Sequence, residues 1–341
     1  MYQKSLRDKV KDIMLSYREK AYFRDAVVSV FNKDEVFFTL PFGDANEYTL
    51  FDVASLTKIS TSTLILLSIN EGHISLNDKI LDLLPNLCAF PTVVERLVNT
   101  RLENLLTHTS GLPAWYPFYT SNEDFYHILN KSICLPVEEN MVYSDLNFML
   151  LGLLLEKIYS SPLEKILSNR LVAPNRLGNM CYLPKDNSNI APSSYGNPIE
   201  EEMCRELGLS FNNWRKHEPL IGEVNDGNAH YYFKGVSGHA GIFADVHAYI
   251  KLAQLYLNSE DRLFNSSMLE YAPSRGLGWQ LGERYPKGCG HTGFTGTSMY
   301  LSKELNVGCV LFTNRLFFET HNTKPTDDVR LSVHKAIVDN M

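Results

Sequence analysis

Leu6, Val10, Ile13, Met14 and Tyr17 recur at the three- and four-residue steps of one apolar helix face, so the chain is predicted to open with an amphipathic helix. Two β-rich runs follow, A-V-V-S-V-F from Ala26 and E-V-F-F-T-L from Glu35, joined by the turn signal Asn32-Lys33-Asp34. Together they read as a hairpin. The far end of the chain repeats the pattern. There T-S-M-Y-L-S-K and V-G-C-V-L-F-T flank Glu304-Leu305-Asn306, and Val329, Val333, Ala336 and Ile337 mark a closing helix.

Strands at both ends with mostly helical sequence between them predict an α+β chain: one antiparallel sheet built from the two termini, flanked by helices, with a mainly helical lobe inserted. The expected division gives 1–57 and 236–341 to the sheet lobe and 58–235 to the helical lobe, with the active site between them. F-M-L-L-G-L-L-L from Phe148 stops at Glu156 and Lys157, short of the ~18 apolar residues of a membrane span, and reads as a buried helix. The Asn-, Ser- and Pro-rich stretch 185–198 reads as a long surface loop. No internal repeat is evident.

Length and charge narrow the function. At 341 residues the chain can bury a large core, and its 39 acidic against 32 basic residues, with no basic stripe, exclude nucleic acid as the expected partner. The N-terminus mixes charges where a signal peptide needs an apolar core of ~7 to 15 residues, so a cytoplasmic location is expected. Six scattered cysteines lack C-x-x-C or metal-ligand spacing and fit reduced thiols. No H-E-x-x-H or comparable pattern occurs, so neither metal nor cofactor is expected.

The candidate chemistry starts at F-D-V-A-S-L-T-K-I-S, where Ser55 stands three residues before Lys58, within reach on one helix face. Spacing alone is weak, since Ser332 and Lys335 repeat it in what looks like a terminal surface helix. Two later stretches complete a set: V-Y-S-D-L-N, with Tyr143 and Asp145 before the buried helix, and G-H-T-G-F-T-G-T-S, with His291, Thr292 and Gly293 leading into a strand. A serine acylase needs a nucleophile, a base for its proton and donors for the oxyanion. Ser55 supplies the first and, through its own N–H, one donor. Lys58 is the base if neutral; if charged, it lowers the pKa of Tyr143 and the phenolate is the base. The Phe294 N–H is the second donor, with Gly293 allowing close approach of substrate. Cys289 is a candidate second nucleophile or a small apolar filler.

The order S-L-T-K, Y-S-D, H-T-G resembles the serine β-lactamase and penicillin-binding-protein superfamily, and its tyrosine form is similar to the class C β-lactamase, D-aminopeptidase and carboxylesterase branch. L-L-T-H-T-S-G-L-P, G-V-S-G-H-A-G-I-F and G-L-G-W extend the likeness over roughly residues 26–315. The resemblance implies the β-lactamase/DD-peptidase-like fold, Ser55 as acylated nucleophile, Lys58 as its partner, Tyr143 as the base that also protonates the leaving group, and Phe294 completing the oxyanion hole. Asp145, His291, Thr292 and Gly293 are the further substrate-binding candidates.

Departures bear on substrate. Asp145 replaces the usual Asn and, ionised, donates no hydrogen bond. His291 replaces the usual Lys, and at an unperturbed pKa of ~6.5 is charged about a quarter of the time at pH 7. Both weaken the expected grip on an acylamino, carboxylate-bearing substrate. N-D-G-N-A (225–229) stands where relatives often have H-D-x-N-A. His108 and His239 are expected to tie neighbouring loops together, and Trp115 and Tyr116 to line the cleft or pack. The reading is a serine hydrolase acting through an acyl-enzyme on a small ester or amide. The alternatives are a penicillin-binding D,D-carboxypeptidase or class C-type β-lactamase, and a catalytically idle binding module.

Overall fold

The opening stripe forms helix α1 (Tyr2–Glu19), with Leu6, Val10 and Met14 buried. The computed structural model describes residues 2–135, 141–319 and 324–341. The hairpin follows as β1 (Ala26–Phe31) and β2 (Val36–Phe42), its turn pinned by the Asn32 side chain, which accepts from the Asp34 and Glu35 amides. At the other end β6 (Cys289–Thr292), β7 (Ser298–Ser302) and β8 (Val307–Thr313) complete an antiparallel sheet of order β2-β1-β8-β7-β6. Val28 pairs with Leu40 on one side and Leu311 on the other, joining the two ends of the chain.

Central strands β1 and β8 read as continuous apolar runs because both sheet faces are covered. Val28, Val30, Cys309 and Leu311 share a core with Leu6, Val10, Val329, Val333 and Ile337 of α1 and the closing helix α6 (Asp327–Val338). Val27, Phe31, Val310 and Phe312 face the larger core, against α5 (Val246–Asn258). Ser332 and Lys335 lie on α6, and Ser332 meets the Tyr17 hydroxyl at 3.0 Å.

A second sheet, of order β3-β5-β4, combines β3 (Phe51–Asp52), β4 (Met180–Tyr182) and β5 (Ile242–Ala244). It holds the nucleophile strand β3 to a segment almost two hundred residues later in the chain. After β3, helix α2 (Thr57–Asn70) is buried on every side from Thr57 to Leu66. Several of its hydroxyls donate to carbonyls: Thr61 to Gly238 O at 2.7 Å and Ser62 to Leu277 O at 2.9 Å. Small polar side chains let other backbone segments approach this helix closely. α3 (Asp145–Tyr159) is the predicted buried helix, with Leu146 to Leu151 all buried. Gly238 packs onto it so tightly that a Cβ there would lie 2.2 Å from Phe148 O.

The stretch 185–198 departs from expectation. Residues 185–188 are exposed, but Ile190, Ala191, Ser193, Ser194 and Asn197 are buried, and Leu50 exchanges backbone hydrogen bonds with Asn189 and Ala191. Ser and Asn carry a loop signal by composition, yet here the Ser194 and Asn197 side chains are hydrogen-bonded inside the molecule before α4 (Pro198–Glu206) begins. Among the described residues no helix is long and apolar enough to cross a membrane.

Candidate active site

Ser55 lies in a 3₁₀ turn (Ala54–Leu56) that runs directly into α2. Ala54 adopts φ 47°, a left-handed conformation unfavourable for a residue with a Cβ, and its amide is held by Asp52 Oδ1 at 2.9 Å. Ser55 is half-buried, on the wall of a cleft of about 400 Å³ that also touches Trp115, Tyr143, Asp145, Thr292, Gly293 and Phe294. A larger cavity, about 720 Å³ and lined by Tyr119, Phe211 and Tyr231, contains none of the motif residues.

Lys58, fully buried, donates to Ser55 Oγ at 2.9 Å and to the His239 carbonyl at 3.2 Å, and its Nζ lies 2.7 Å from Asp145 Oδ1. Burial alone would lower its pKa, but Asp145 and then Tyr143 reverse this and hold it above the ordinary lysine value. Lys58 is therefore an ammonium in the resting site. The Tyr143 phenol faces both Lys58 and Ser55. Burial pushes its pKa up, Lys58 pulls it down, and Asp145 pushes it up again, with a net rise. Two cations approach the ring, Lys58 Nζ at 5.0 Å and the Arg275 guanidinium at 5.3 Å from its centroid.

The opposite wall is the end of β6. Gly293 to Gly296 form a tight turn (Gly296 N to Gly293 O, 3.0 Å), and Thr295 and Thr297 hydroxyls donate to Asp52 O and Val53 O at 2.7 and 2.8 Å. Those bonds fix the turn against the one carrying Ser55. A Cβ on Gly293 would lie 2.1 Å from Thr297 Oγ1 and 2.4 Å from Val53 O. Glycine is needed there for this docking. Among the described residues, neither the Ser55 nor the Phe294 amide donates a hydrogen bond. Two backbone donors are thus available at one cleft, as an oxyanion site requires.

His291 is not in the cleft lining. It is 1% exposed, its Nδ1 is 2.9 Å from the Thr292 carbonyl, and burial, followed by the charges of Lys58 and Arg275, holds its pKa well below the usual imidazole value. The expected imidazolium for a substrate carboxylate is therefore a neutral core histidine. The reason is strand alternation: His291 shares a β6 face with buried Cys289, while Thr292 faces the cleft. Cys289 is 2% exposed with its thiol pKa pushed up by burial, which removes it as a nucleophile.

Cations that sequence reading missed line the same cleft: Arg284, Arg315 and Arg330. Arg315 stacks on the Phe294 ring at 4.9 Å and donates through Nε to the Phe294 carbonyl at 2.6 Å, and among the described residues no carboxylate pairs with it. Burial, then Arg330, lowers its pKa to about 10, so it stays charged at neutral pH.

N-D-G-N-A acquires a physical role. The Asn225 amide donates to Asp52 Oδ2 at 2.6 Å, Gly227 N to Glu200 Oε1 at 2.7 Å, and Asn228 bridges Phe118 N and Tyr116 O. The motif gathers the nucleophile strand, α4 and the loop after S-G-L-P around the cleft. Asp226 lines the cleft and meets His239 Nε2 at 2.9 Å, while His239 Nδ1 meets Ser237 at 2.7 Å. His108 accepts from Ser144 N at 3.0 Å. Both histidines do tie loops together. Trp115 lines the cleft, and Tyr116 packs edge-on against Phe118. Asp145, Asp226 and His239 bring ligand atoms within 4.8 Å of one another, but the Lys58 ammonium lies against Asp145 and His239 and supplies the positive charge there.

Buried Glu200 has its pKa pushed up to about 8 by burial and then by Asp226, and accepts from the Tyr119 hydroxyl at 2.9 Å. It is a neutral acid on the cleft wall at pH 7. Its signal in the sequence, one acid of an E-E-E run, is indistinguishable from a solvated helix face.

Residues 10–332 match the β-lactamase family model. Over 302 residues the chain is 29% identical to an N-acetylmuramyl-L-alanine amidase of Bacillus subtilis (strain 168), covering 78% of this chain and 68% of that protein. It is 27% identical over 326 residues to a putative D-alanyl-D-alanine carboxypeptidase of Salmonella paratyphi A, covering 84% and 74%. A class C β-lactamase crystal structure superposes with a TM-score of 0.75 at 16% identity, over 99% of each chain, which shows the fold. The converging Ser55, Lys58 and Tyr143 and the match along almost the whole chain lead to one assignment: this chain belongs to the β-lactamase family and is a serine hydrolase.

Proposed function

We propose that the chain hydrolyses a small amide or ester through an acyl-enzyme on Ser55. The observation that carries this reading is the Ser55 hydroxyl at 2.9 Å from the Lys58 ammonium, beside the Tyr143 phenol and two uncommitted backbone amides. Because the Tyr143 pKa is raised in the resting site, the base is the minor form whose phenol proton has passed to solvent; Ser55 Oγ attacks the substrate carbonyl carbon as its own proton passes to that phenolate. Lys58 stays charged and stabilises the phenolate. The developing oxyanion is held by the Ser55 and Phe294 amides. Tyr143 then gives its proton to the leaving group, and water releases the acyl group by the reverse sequence.

A D,D-carboxypeptidase or β-lactamase type of substrate, an amide bearing a carboxylate, gains support from Arg315, a guanidinium in the cleft without a carboxylate partner among the described residues. Arginine suits planar, bidentate carboxylate binding better than the histidine considered from sequence. The six cysteines are all free, two of them exposed, which supports a reducing compartment such as the cytoplasm.

Intact mass after incubation with a fluorophosphonate and, separately, with a fluorescent penicillin tests the reading. One equivalent of label on wild type and none on Ser55→Ala is expected, with p-nitrophenyl acetate turnover falling by several orders of magnitude in the variant. Label retained by Ser55→Ala would move the nucleophile elsewhere. No label and no turnover in wild type would leave the idle binding module.

A further inference from the structure

Gly293 and Phe294 share a peptide unit, so whatever holds the Gly293 carbonyl acts on the Phe294 N–H. The Arg330 guanidinium does so. Its Nη2 donates to Gly293 O at 3.3 Å and to Thr297 O at 3.0 Å, while Nη1 pairs with Asp327 at 2.9 Å. Arg330 is 5% exposed, although it comes from α6, 37 residues from Gly293. Thr297 O in turn accepts from Gly293 N at 2.7 Å, so Arg330 braces both sides of that residue. The next carbonyl, Phe294 O, accepts from Arg315 Nε at 2.6 Å. Consecutive peptide carbonyls are thus each held by a guanidinium.

We propose that Arg330 is a positioning residue of the oxyanion site: its charge, delivered through the Gly293 carbonyl, polarises the Gly293–Phe294 peptide and strengthens the Phe294 N–H as an oxyanion donor. This rests on the acyl-enzyme reading above. Two physical points support it. A hydrogen bond accepted at one end of a peptide strengthens the donor at the other, more so where the partner is charged and the surroundings are dry. Burial lowers the Arg330 pKa, with Tyr285 and Asp327 opposing, but a guanidinium starts so high that it keeps its proton at neutral pH and the polarisation persists there. Asp327, about half exposed and shared with Arg284 at 2.7 Å, partly offsets the charge. The device therefore has an opposing element that can be removed separately.

The test uses p-nitrophenyl acetate, ¹³C-labelled at the carbonyl, with kcat and KM measured alongside time-resolved infrared spectra of the acetyl-enzyme. Removing one oxyanion donor costs ~10²–10³ in kcat, and weakening it should cost less, roughly 10-fold, with KM within about twofold. Arg330→Gln is expected to show that drop and an acyl carbonyl band at higher frequency. Arg330→Lys, which keeps the charge, should recover part of both. Asp327→Asn should move the band the opposite way, to lower frequency, because the guanidinium loses its counter-charge. A purely structural brace would not give opposite shifts. If Arg330→Gln does not fold, the other two variants still decide. An unmoved band in all folded variants overturns the inference and leaves the acyl-enzyme reading standing. Absence in wild type of any acetyl-enzyme band, together with no turnover and no fluorophosphonate label on Ser55, overturns both.

Discussion

On one wall of the cleft Ser55, Lys58, Tyr143 and Asp145 bring their own side-chain atoms to the reacting position; on the other, from Thr292 to Phe294, backbone amides are offered and arginines from later in the chain supply the charge. The first wall is a buried ion pair and its hydroxyl neighbours. Its charges compensate one another: against burial, Asp145 holds the Lys58 pKa up, and Lys58 in turn pulls the Tyr143 pKa down against burial. Among the described residues the second wall has an excess of positive charge and no titrating imidazole facing the substrate. Proton transfer thus belongs to the first wall, and charge stabilisation and recognition to the second. Substitutions on the two walls should differ in kind as well as in size.

The largest effects are expected on the first wall. Tyr143→Phe should lower kcat/KM by ~10²–10⁴, the range of a lost general base, and Lys58→Met by at least as much. Stopped-flow acylation with p-nitrophenyl acetate measures both. A Tyr143→Phe enzyme with wild-type kcat/KM would transfer the base role to Lys58 and require the ammonium to lose its proton first.

On the second wall, Arg315→Gln should raise KM for a carboxylate-bearing D,D-peptide by ~10- to 100-fold, the value of a charge-assisted hydrogen bond, and leave p-nitrophenyl acetate within a few-fold. His291→Asn should not change the ratio between the two substrates. A selective loss in the histidine variant, with none in Arg315→Gln, would reverse the assignment of the cation.

A smaller effect should come from Asp145→Asn. Removing the carboxylate takes away one influence that raises the Tyr143 pKa, so, with Lys58 still charged, the rising limb of kcat/KM against pH should move to lower pH; loss of the Lys58 charge that Asp145 supports would instead move it up. A limb that stays in place would show that it does not report Tyr143. The smallest change is expected from Glu200→Gln. Below about pH 8 Glu200 is protonated, and the isosteric amide should leave activity within about twofold. Above that pH wild type gains a negative charge beside Asp226, so kcat/KM for an anionic substrate should fall there, and the variant should lack that fall. Identical profiles through pH 9 would mean that Glu200 does not face the bound substrate.

The two walls also differ in how far they can be read from the chain. Ser55 and Lys58 are one helical turn apart, so their contact is local and follows from spacing. Leu6-Val10-Met14 and the apolar runs of β1 and β8 likewise mark their elements, because burial on one face or two imposes a periodicity. The end of β6 was legible only in part. Period-two alternation from Cys289 places His291 on the core side, a signal present in the sequence but masked by the family habit of a cation at that position. Arg315, Arg330 and Glu200 carried no signal, since charged residues near helices and turns are ordinarily solvated.

By itself the sequence determined the sheet drawn from both termini, the buried helix after Tyr143, and the residues Ser55, Lys58, Tyr143 and Phe294 as the candidates for chemistry. Only the tertiary structure decided that Asp145 keeps Lys58 charged, that His291 is neutral and buried, that half of 185–198 is interior, and that Asn225 closes on Asp52 across 173 residues. The reason is physical. Propensity and periodicity act within a turn or a strand, whereas ionisation and burial depend on which distant groups the assembled fold brings within a few ångströms.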